Sequence, residues 1–199
     1  LESRFDRKHY FYPDSPAGYQ ITQMYKPIIG AGVIHLQGFD DVRINHAHLE
    51  GDAGKLSHFD DYSLVDLNRV GTPLIEIVSE ADIHSAAQAR AYAEELHRLM
   101  IYAGVSNGDL YQGNMRFDVN TSVSKTDELG TRTEVKNLNS FRSVERAVEY
   151  EAARQIALLE KGEQVVQETR GWNDATGKTT GQRSKEGAAD YRYMPEPDI

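Results

Sequence analysis

Cysteine is absent from this chain of 199 residues. That removes disulfide scaffolds, thiolate zinc centres and cysteine nucleophiles together, so any metal has to be held by oxygen or imidazole. Long apolar runs are absent too. No stretch approaches the ~18 to 20 residues that a membrane-spanning helix needs, and Leu1 to Pro16 is charged and aromatic where a secretory leader would be apolar. A soluble protein of the cytoplasm, or of an organellar matrix, is the expectation. Positive charge is short as well: 22 Lys and Arg face 31 Asp and Glu, a net charge of −9. A non-specific nucleic-acid coat is thereby disfavoured, because such proteins use clustered cations to displace counterions from phosphates. A nucleic-acid partner would have to be gripped locally. No repeat and no low-complexity linker interrupts the sequence, so 1–199 is expected to be a single domain. With no initiator Met and a tail that runs out at Pro195-Glu-Pro-Asp-Ile199, that domain reads as incomplete, a piece of something longer.

The hydrophobic pattern predicts an α+β fold with mainly antiparallel sheet and two long helices. His9 to Gln23 mixes aromatics with Pro13, Pro16 and Gly18 and reads as loop. Val33 to Gln37 and Asp41 to Glu50 read as a hairpin whose second strand places Ile44, His46, His48 and Glu50 on one face by the two-residue period. A loop over Gly51 to Asp61 precedes a central strand, Pro73 to Ser79, apolar on both faces but carrying Glu76. Ala86 to Tyr102 is predicted helical, with a Ser85/Gln88 capping box and Gly104 as the stop. A second helix is predicted over Phe141 to Lys161, ending at Gly162. Between them, Leu110 to Ser124 and Thr131 to Asn137 alternate as strands. Val165 to Trp172 and Thr179 to Lys185 read as a hairpin.

Glu76, Asp118 and Glu134 lie in the middle of strand patterns, where Val, Ile or Thr would be usual. Two readings stay open. In one, Arg116, Arg132 or Lys136 neutralises them as a structural network on a solvated sheet face; in the other, they hold Mg²⁺, which takes hard oxygen ligands and bridges nucleotide phosphates. His48 and Glu50 are possible outer partners of such a site, and with His46 they form a weaker zinc pattern. Gly51-Asp-Ala-Gly54-Lys55 resembles a phosphate loop but is two residues short of the P-loop spacing, with Leu56 where Ser or Thr is needed. Lys136-Asn-Leu-Asn-Ser-Phe141 runs from a strand into a helix N-terminus, a place where anions are favoured. Asn139 or Ser140 as a plain cap explains part of it. A locally positive stretch, Thr169 to Arg192, carries Arg183 and Lys185 among its cations.

Six blocks taken together, His9-Tyr-Phe-Tyr-Pro-Asp14, His48-Leu-Glu-Gly-Asp-Ala-Gly-Lys55, Tyr62 to Arg69, Gly71 to Glu80, Val135 to Phe141 and Asp190 to Asp198, resemble the B-subunit family of the aspartyl/glutamyl-tRNA amidotransferases across nearly the whole chain. The resemblance implies a cradle-shaped domain related to glutamine synthetase and the guanidino kinases. It implies ATP- and Mg²⁺-dependent phosphorylation of the side-chain carboxylate of Glu-tRNA(Gln) or Asp-tRNA(Asn), then amidation by ammonia from a glutaminase A subunit, with a small C subunit holding the two together. Glu76, Asp118 and Glu134 would be the catalytic metal-holding acids, joined by Glu50 and His48. Lys136, Asn137, Asn139, Arg69, Arg183 and Lys185 are the candidate contacts to the nucleotide and its phosphates. The family usually has Glu where this chain has Gly51, and its N-terminal strand and C-terminal helical tRNA-binding tail lie outside this sequence, so the fragment is not expected to turn over alone. The competing expectation, from another functional class, is a non-catalytic module that docks the misacylated tRNA acceptor end and partner subunits, its acids merely structural.

Overall fold

The computed structural model describes residues 2–182 and 190–199. Among them the chain forms two helices and short strands in mostly antiparallel sheets, an α+β arrangement as expected. The contacts divide it into two compact units, one built from 2–33, 43–81 and 190–199, the other from 34–42 and 82–182.

In the first unit β1 (Asp6–His9) is paired on one side by β2 (Tyr19–Thr22) and on the other by β12 (Met194–Pro195), all antiparallel. β2 lies where the sequence reads as loop, and β1 ends at the first residue of that stretch, His9. Strands of four residues are too short to display a period. The tail is tied in by a two-pronged ion pair, Arg7 Nε to Glu196 Oε2 at 2.7 Å and Nη2 to Oε1 at 3.0 Å, with the Arg7 guanidinium also 4.3 Å from the centre of the Tyr19 ring. A second sheet places β4 (Val42–Gly51) between β3 (Gly32–Ile34) and β7 (Pro73–Ser79). A hairpin, β5 (Lys55–His58) with β6 (Ser63–Asp66), occupies part of the expected 51–61 loop. Few apolar side chains are buried in this unit, Ile44 and Ala47 being the clearest. Buried polar groups pin the segments instead. Gln23, 2% exposed, accepts from Ile28 N and Leu49 N through Oε1, and Asp6 Oδ2 accepts from Met24 N at 2.9 Å.

The second unit has the larger core, formed by Ala89, Ala93, Val135, Leu138, Val144, Ala147 and Trp172. α1 (Ala86–Tyr102) starts at Ser85, whose side chain accepts from Gln88 N, and ends with Gly104 at φ +70°, the left-handed stop that glycine permits. The capping box is only half closed, because Gln88 turns its amide to His84 N and Asp40 O rather than back to Ser85. The expected 110–124 strand contracts to β8 (Phe117–Thr121), which pairs with β9 (Thr133–Leu138) through a register shift between Phe117 and Val119. α2 (Phe141–Glu160) then carries the chain over to β10 (Thr169–Asn173), which lies parallel to β9, the parallel exception to the antiparallel pattern among the described pairs. β11 (Lys178–Gly181) closes the sheet as the far arm of a hairpin.

Glu151 of α2 is fully buried and fastens the helix to three strands. Thr133 of β9 donates to its Oε1 at 2.6 Å, Thr179 of β11 donates to its Oε2 at 3.1 Å, and Arg154 Nε reaches both oxygens at 3.1 Å. Arg170 of β10 adds an ion pair at 3.6 Å. Burial alone would raise the carboxyl's pKa, but the hydrogen bonds from Arg154, Thr133 and Gln155 outweigh it and the net direction is downward. A depressed carboxyl contributes stability above the ordinary glutamate value of about 4.3 and loses it as pH falls through the lower folded value. Glu151→Gln is therefore expected to destabilise the protein by about 3 kcal/mol in urea unfolding at pH 7, because it strands the partner guanidinium. It should also reduce the loss of stability of the parent protein below about pH 4. Equal urea midpoints for the two proteins at pH 7 would show that the network carries no net stability.

Candidate functional site

The site-bearing strand of the first unit changes face halfway along. Ile44 pairs with Ser79, but His46 pairs with Val78, so Asn45 is an extra residue on β4 with no partner on β7. Cross-strand partners point to the same side of a sheet. Ile44, Ala47 and Leu49 therefore share a face with Ser79, Ile77 and Ile75, while His46, His48 and Glu50 share the other with Val78, Glu76 and Leu74. The simple alternation had put Ile44 with the histidines; the bulge corrects that.

On this polar face His48 lies directly across from Glu76. His48 Nε2 is 3.4 Å from Glu50 Oε2 and 4.0 Å from Glu76 Oε2, and one ligand atom from each of the three residues lies within 4.8 Å of the others. The hydrogen bond to Glu50 raises the His48 pKa; burial opposes it, and the charges of Glu76 and Glu50 add to the rise. One imidazole nitrogen and two carboxylate oxygens form a donor set for a divalent cation, and ligands around 2.1 Å from a common ion stand roughly 3 to 4 Å apart, as His48 Nε2 does from each of the two acids. Behind His48 stands His46, its ring stacked at 5.2 Å, its Nε2 3.1 Å from His48 Nδ1 and its Nδ1 2.7 Å from Asn45 Oδ1. Burial and the neighbouring His48 push the His46 pKa down. Asn45 Nδ2 in turn donates to Glu80 Oε1 at 2.6 Å. Neither Asn45 nor Glu80 stands out in the sequence, since what makes them neighbours of the site is the bulge.

Glu50 also lines a cavity of about 400 Å³ with Tyr10, Asp14, Tyr19, Gln20 and Leu49. Asp14 Oδ1 is buried there without a hydrogen-bond partner among the described residues, and the Tyr10 hydroxyl is pushed up in pKa by burial and by the Asp14 charge. The cavity is within the usual size range for small-molecule sites. Arg69 bonds to Asp52 Oδ2 at 2.9 Å, in the turn that joins Asp52 N to Thr72 O.

The other sequence-selected acids belong to the second unit. Asp118 on β8 and Glu134 on β9 both face Lys136, at 3.3 Å and 3.5 Å from its Nζ, and Thr169 donates to Glu134 Oε2 at 3.1 Å. Burial would lower the Lys136 pKa, but the two carboxylates outweigh it and hold the ammonium charged. Asn139 is exposed beside Ser140, whose hydroxyl caps α2, and Asn137 lies in β9. Arg183 and Lys185 fall outside the described residues. The structure thus brings Glu76, Glu50 and His48 together, and separately Asp118, Glu134 and Lys136.

Residues 1–199 match the model of the GatB/GatE catalytic domain family. Relatives named as the B subunit of aspartyl/glutamyl-tRNA(Asn/Gln) amidotransferase are 55% identical in Saccharophagus degradans over 99% of this chain, 53% in Thermotoga maritima over 99%, and 49% in Caulobacter vibrioides over 100%. The chain spans 42%, 43% and 44% of the lengths of those relatives.

The raised His48 value gives a direct check on the cluster's electrostatics. In a metal-free NMR titration the His48 midpoint is expected above the ordinary histidine value of about 6.5, and in Glu50→Gln it should fall. A midpoint unmoved by the substitution would mean that Glu50 does not hold the His48 proton.

Proposed function

The chain belongs to the GatB/GatE catalytic domain family, and from that premise we propose that it forms part of an amidotransferase B subunit which activates the amino acid on a misacylated tRNA for amidation. The match across residues 1–199 carries this reading. The glutamine synthetase-like cradle, Mg²⁺ and ATP, the glutaminase A subunit and the C subunit, and a cytoplasmic or organellar setting all belong to the same proposal. The absence, among the described residues, of a helix long and apolar enough to cross a membrane is compatible with it.

In the proposed reaction the side-chain carboxylate of Glu-tRNA(Gln) or Asp-tRNA(Asn) attacks the terminal phosphorus of ATP. A carbon-bound oxygen gains the phosphoryl group and ADP leaves. Ammonia then adds to the activated carbonyl, phosphate departs, and the amide remains after loss of a proton. No protein nucleophile is needed; positioned charge is what such a transfer requires. His48, Glu50 and Glu76 would hold a magnesium ion, which supplies charge neutralisation to the phosphates when bound. The cavity beside Glu50 has room for the aminoacyl group. In the second unit, Lys136 would turn from Asp118 and Glu134 to a nucleotide phosphate. The close pairing of those three residues also favours a second reading of the two acids, as a structural network that contributes no metal ligand.

Charge-neutral substitutions separate these readings. In the full-length subunit within its complex, Glu76→Gln is expected to reduce amidation by at least about 100-fold while tRNA affinity stays nearly unchanged; Asp118→Asn should do the same only if Asp118 serves the reaction and not the structural network. Normal amidation by Glu76→Gln would overturn the catalytic reading of the first unit's cluster; normal amidation by Asp118→Asn would assign Asp118 to structure. Lys136→Ala should raise the ATP concentration needed for half-maximal amidation by about tenfold, the loss of one charge-assisted phosphate contact. Unchanged ATP dependence would remove Lys136 from the nucleotide site.

A further inference from the structure

The hydrogen-bond chain behind His48 has a fixed sense that can be read from its outer end. A Glu80 carboxylate oxygen accepts, so the Asn45 amide nitrogen is the group that faces it, 2.6 Å away. That leaves Asn45 Oδ1, an acceptor, against His46 Nδ1 at 2.7 Å, so His46 Nδ1 carries the hydrogen. In the neutral ring the other nitrogen is then an acceptor, and His46 Nε2 faces His48 Nδ1 at 3.1 Å. His48 must donate from Nδ1. When His48 is protonated, Nε2 donates to Glu50; in the neutral ring Nε2 is left as a lone pair pointing toward two acceptors, Glu50 Oε2 at 3.4 Å and Glu76 Oε2 at 4.0 Å. Three acceptors aimed at one another repel unless a cation lies among them.

We propose that Glu80, Asn45 and His46 form a positioning relay that locks His48 in the Nδ1–H tautomer, so that its Nε2 lone pair completes a divalent-cation site with Glu50 and Glu76. The inference rests on the metal reading proposed above and adds three residues to it. None of the three touches the ion. Asn45 does its part because it is the bulged residue of β4, released from the pairing with β7 and free to span Glu80 and His46. Outer hydrogen bonds of this kind orient a ligating imidazole and typically change metal affinity by about 10–100-fold.

Glu80→Gln tests the sense of the relay while preserving its shape. A Gln at this position can donate to Asn45 Oδ1, which allows the Asn45 amide to turn and donate to His46. His46 would then carry its hydrogen on Nε2 and His48 its hydrogen on Nε2, where the metal should bind. The full-length subunit, labelled with ¹⁵N-histidine, is to be examined metal-free at a pH where His48 is neutral, and its Mn²⁺ affinity measured by electron paramagnetic resonance. The parent protein should show His48 as the Nδ1–H tautomer. Glu80→Gln should shift it toward Nε2–H and weaken Mn²⁺ binding about tenfold, with an unchanged melting temperature showing that the fold is intact. Asn45→Ala, which removes the relay, should give the same direction of change. His48 found as the Nε2–H tautomer in the parent protein, or tautomer and Mn²⁺ affinity both unmoved in Glu80→Gln, would overturn the relay. Failure of the metal reading looks different: the parent protein would show the Nδ1–H tautomer and its response to Glu80→Gln, yet bind no Mn²⁺.

Discussion

The register of β4 on β7 is the constraint from which the candidate site follows. A strand has one side-chain period, two, and a slip of one residue exchanges its faces. β4 contains both kinds of half: Val42 and Ile44 come before Asn45 as inward residues, and Ala47 and Leu49 after it, two sets separated by an odd number of positions. No regular strand can bury both sets on the same side. The extra residue at Asn45 reconciles them, and in doing so it gathers His46, His48 and Glu50 opposite Glu76 on the remaining face. The apolar pattern and the polar cluster therefore have a single cause. Moving the bulge would disperse the cluster and, with it, expose either Ile44 or Ala47.

The two units are held by different means, and the difference suits what each displays. In the second, apolar side chains of α1, α2 and the sheet form a packed cluster, and Glu151 locks α2 onto β9, β10 and β11. Removing such a carboxylate leaves cations without their partner, which costs far more than the pair contributes net. In the first, backbone ladders and buried side chains such as Gln23 and Asp6 take over the work of a core. The backbone hydrogens that Gln23 Oε1 and Asp6 Oδ2 accept each fix a particular backbone path. A unit built this way can keep His48 and Glu50 half-buried beside the exposed Glu76, where an apolar core would exclude them.

Both helices and the bounds of the Pro73–Ser79 strand were legible in the sequence almost to the residue, the helices because long periodic segments with a serine cap and a glycine stop carry several agreeing signals; the strand's expected central place was not met, since among the described strands β7 lies at the edge, beside β4. Glu76, Asp118 and Glu134 were visible as acids out of place in strands. Lys136, His48 and Glu50 were among the partners the sequence offered for them, but which acid each one meets was not legible. That Lys136 faces both Asp118 and Glu134 depends on the β8–β9 pairing, which shifts register after Phe117, and that Asn45 reaches both Glu80 and His46 depends on the other shift. A bulge leaves no mark in a hydrophobic pattern beyond an odd spacing that a turn would also produce. The short strands β1, β2, β5 and β6 were missed for a related reason, since four residues give only two repeats of the period. The Arg7–Glu196 pair joins positions near opposite ends of the sequence and is a fact of tertiary structure alone.

Acids drawn into a sheet need countercharge, and this chain supplies it in two ways with different consequences. Asp118 and Glu134 are answered by Lys136, a tethered cation that holds its charge because the two carboxylates outweigh its burial. Such a pair of acids is at rest with nothing bound, and a phosphate would have to compete for the ammonium. Glu50 and Glu76 have His48 instead, whose cation is a proton that can leave. On the proposed reading, a metal ion entering there would displace only that proton, and the imidazole that gives it up would become a ligand in the same position. On that reading, the cluster is held by the proton when no metal is present and would take a divalent cation without rearrangement of its strands. Exchange of one cation for another at fixed geometry is what separates a binding site from a structural ion pair, and by that criterion the histidine cluster of the first unit is the better candidate of the two.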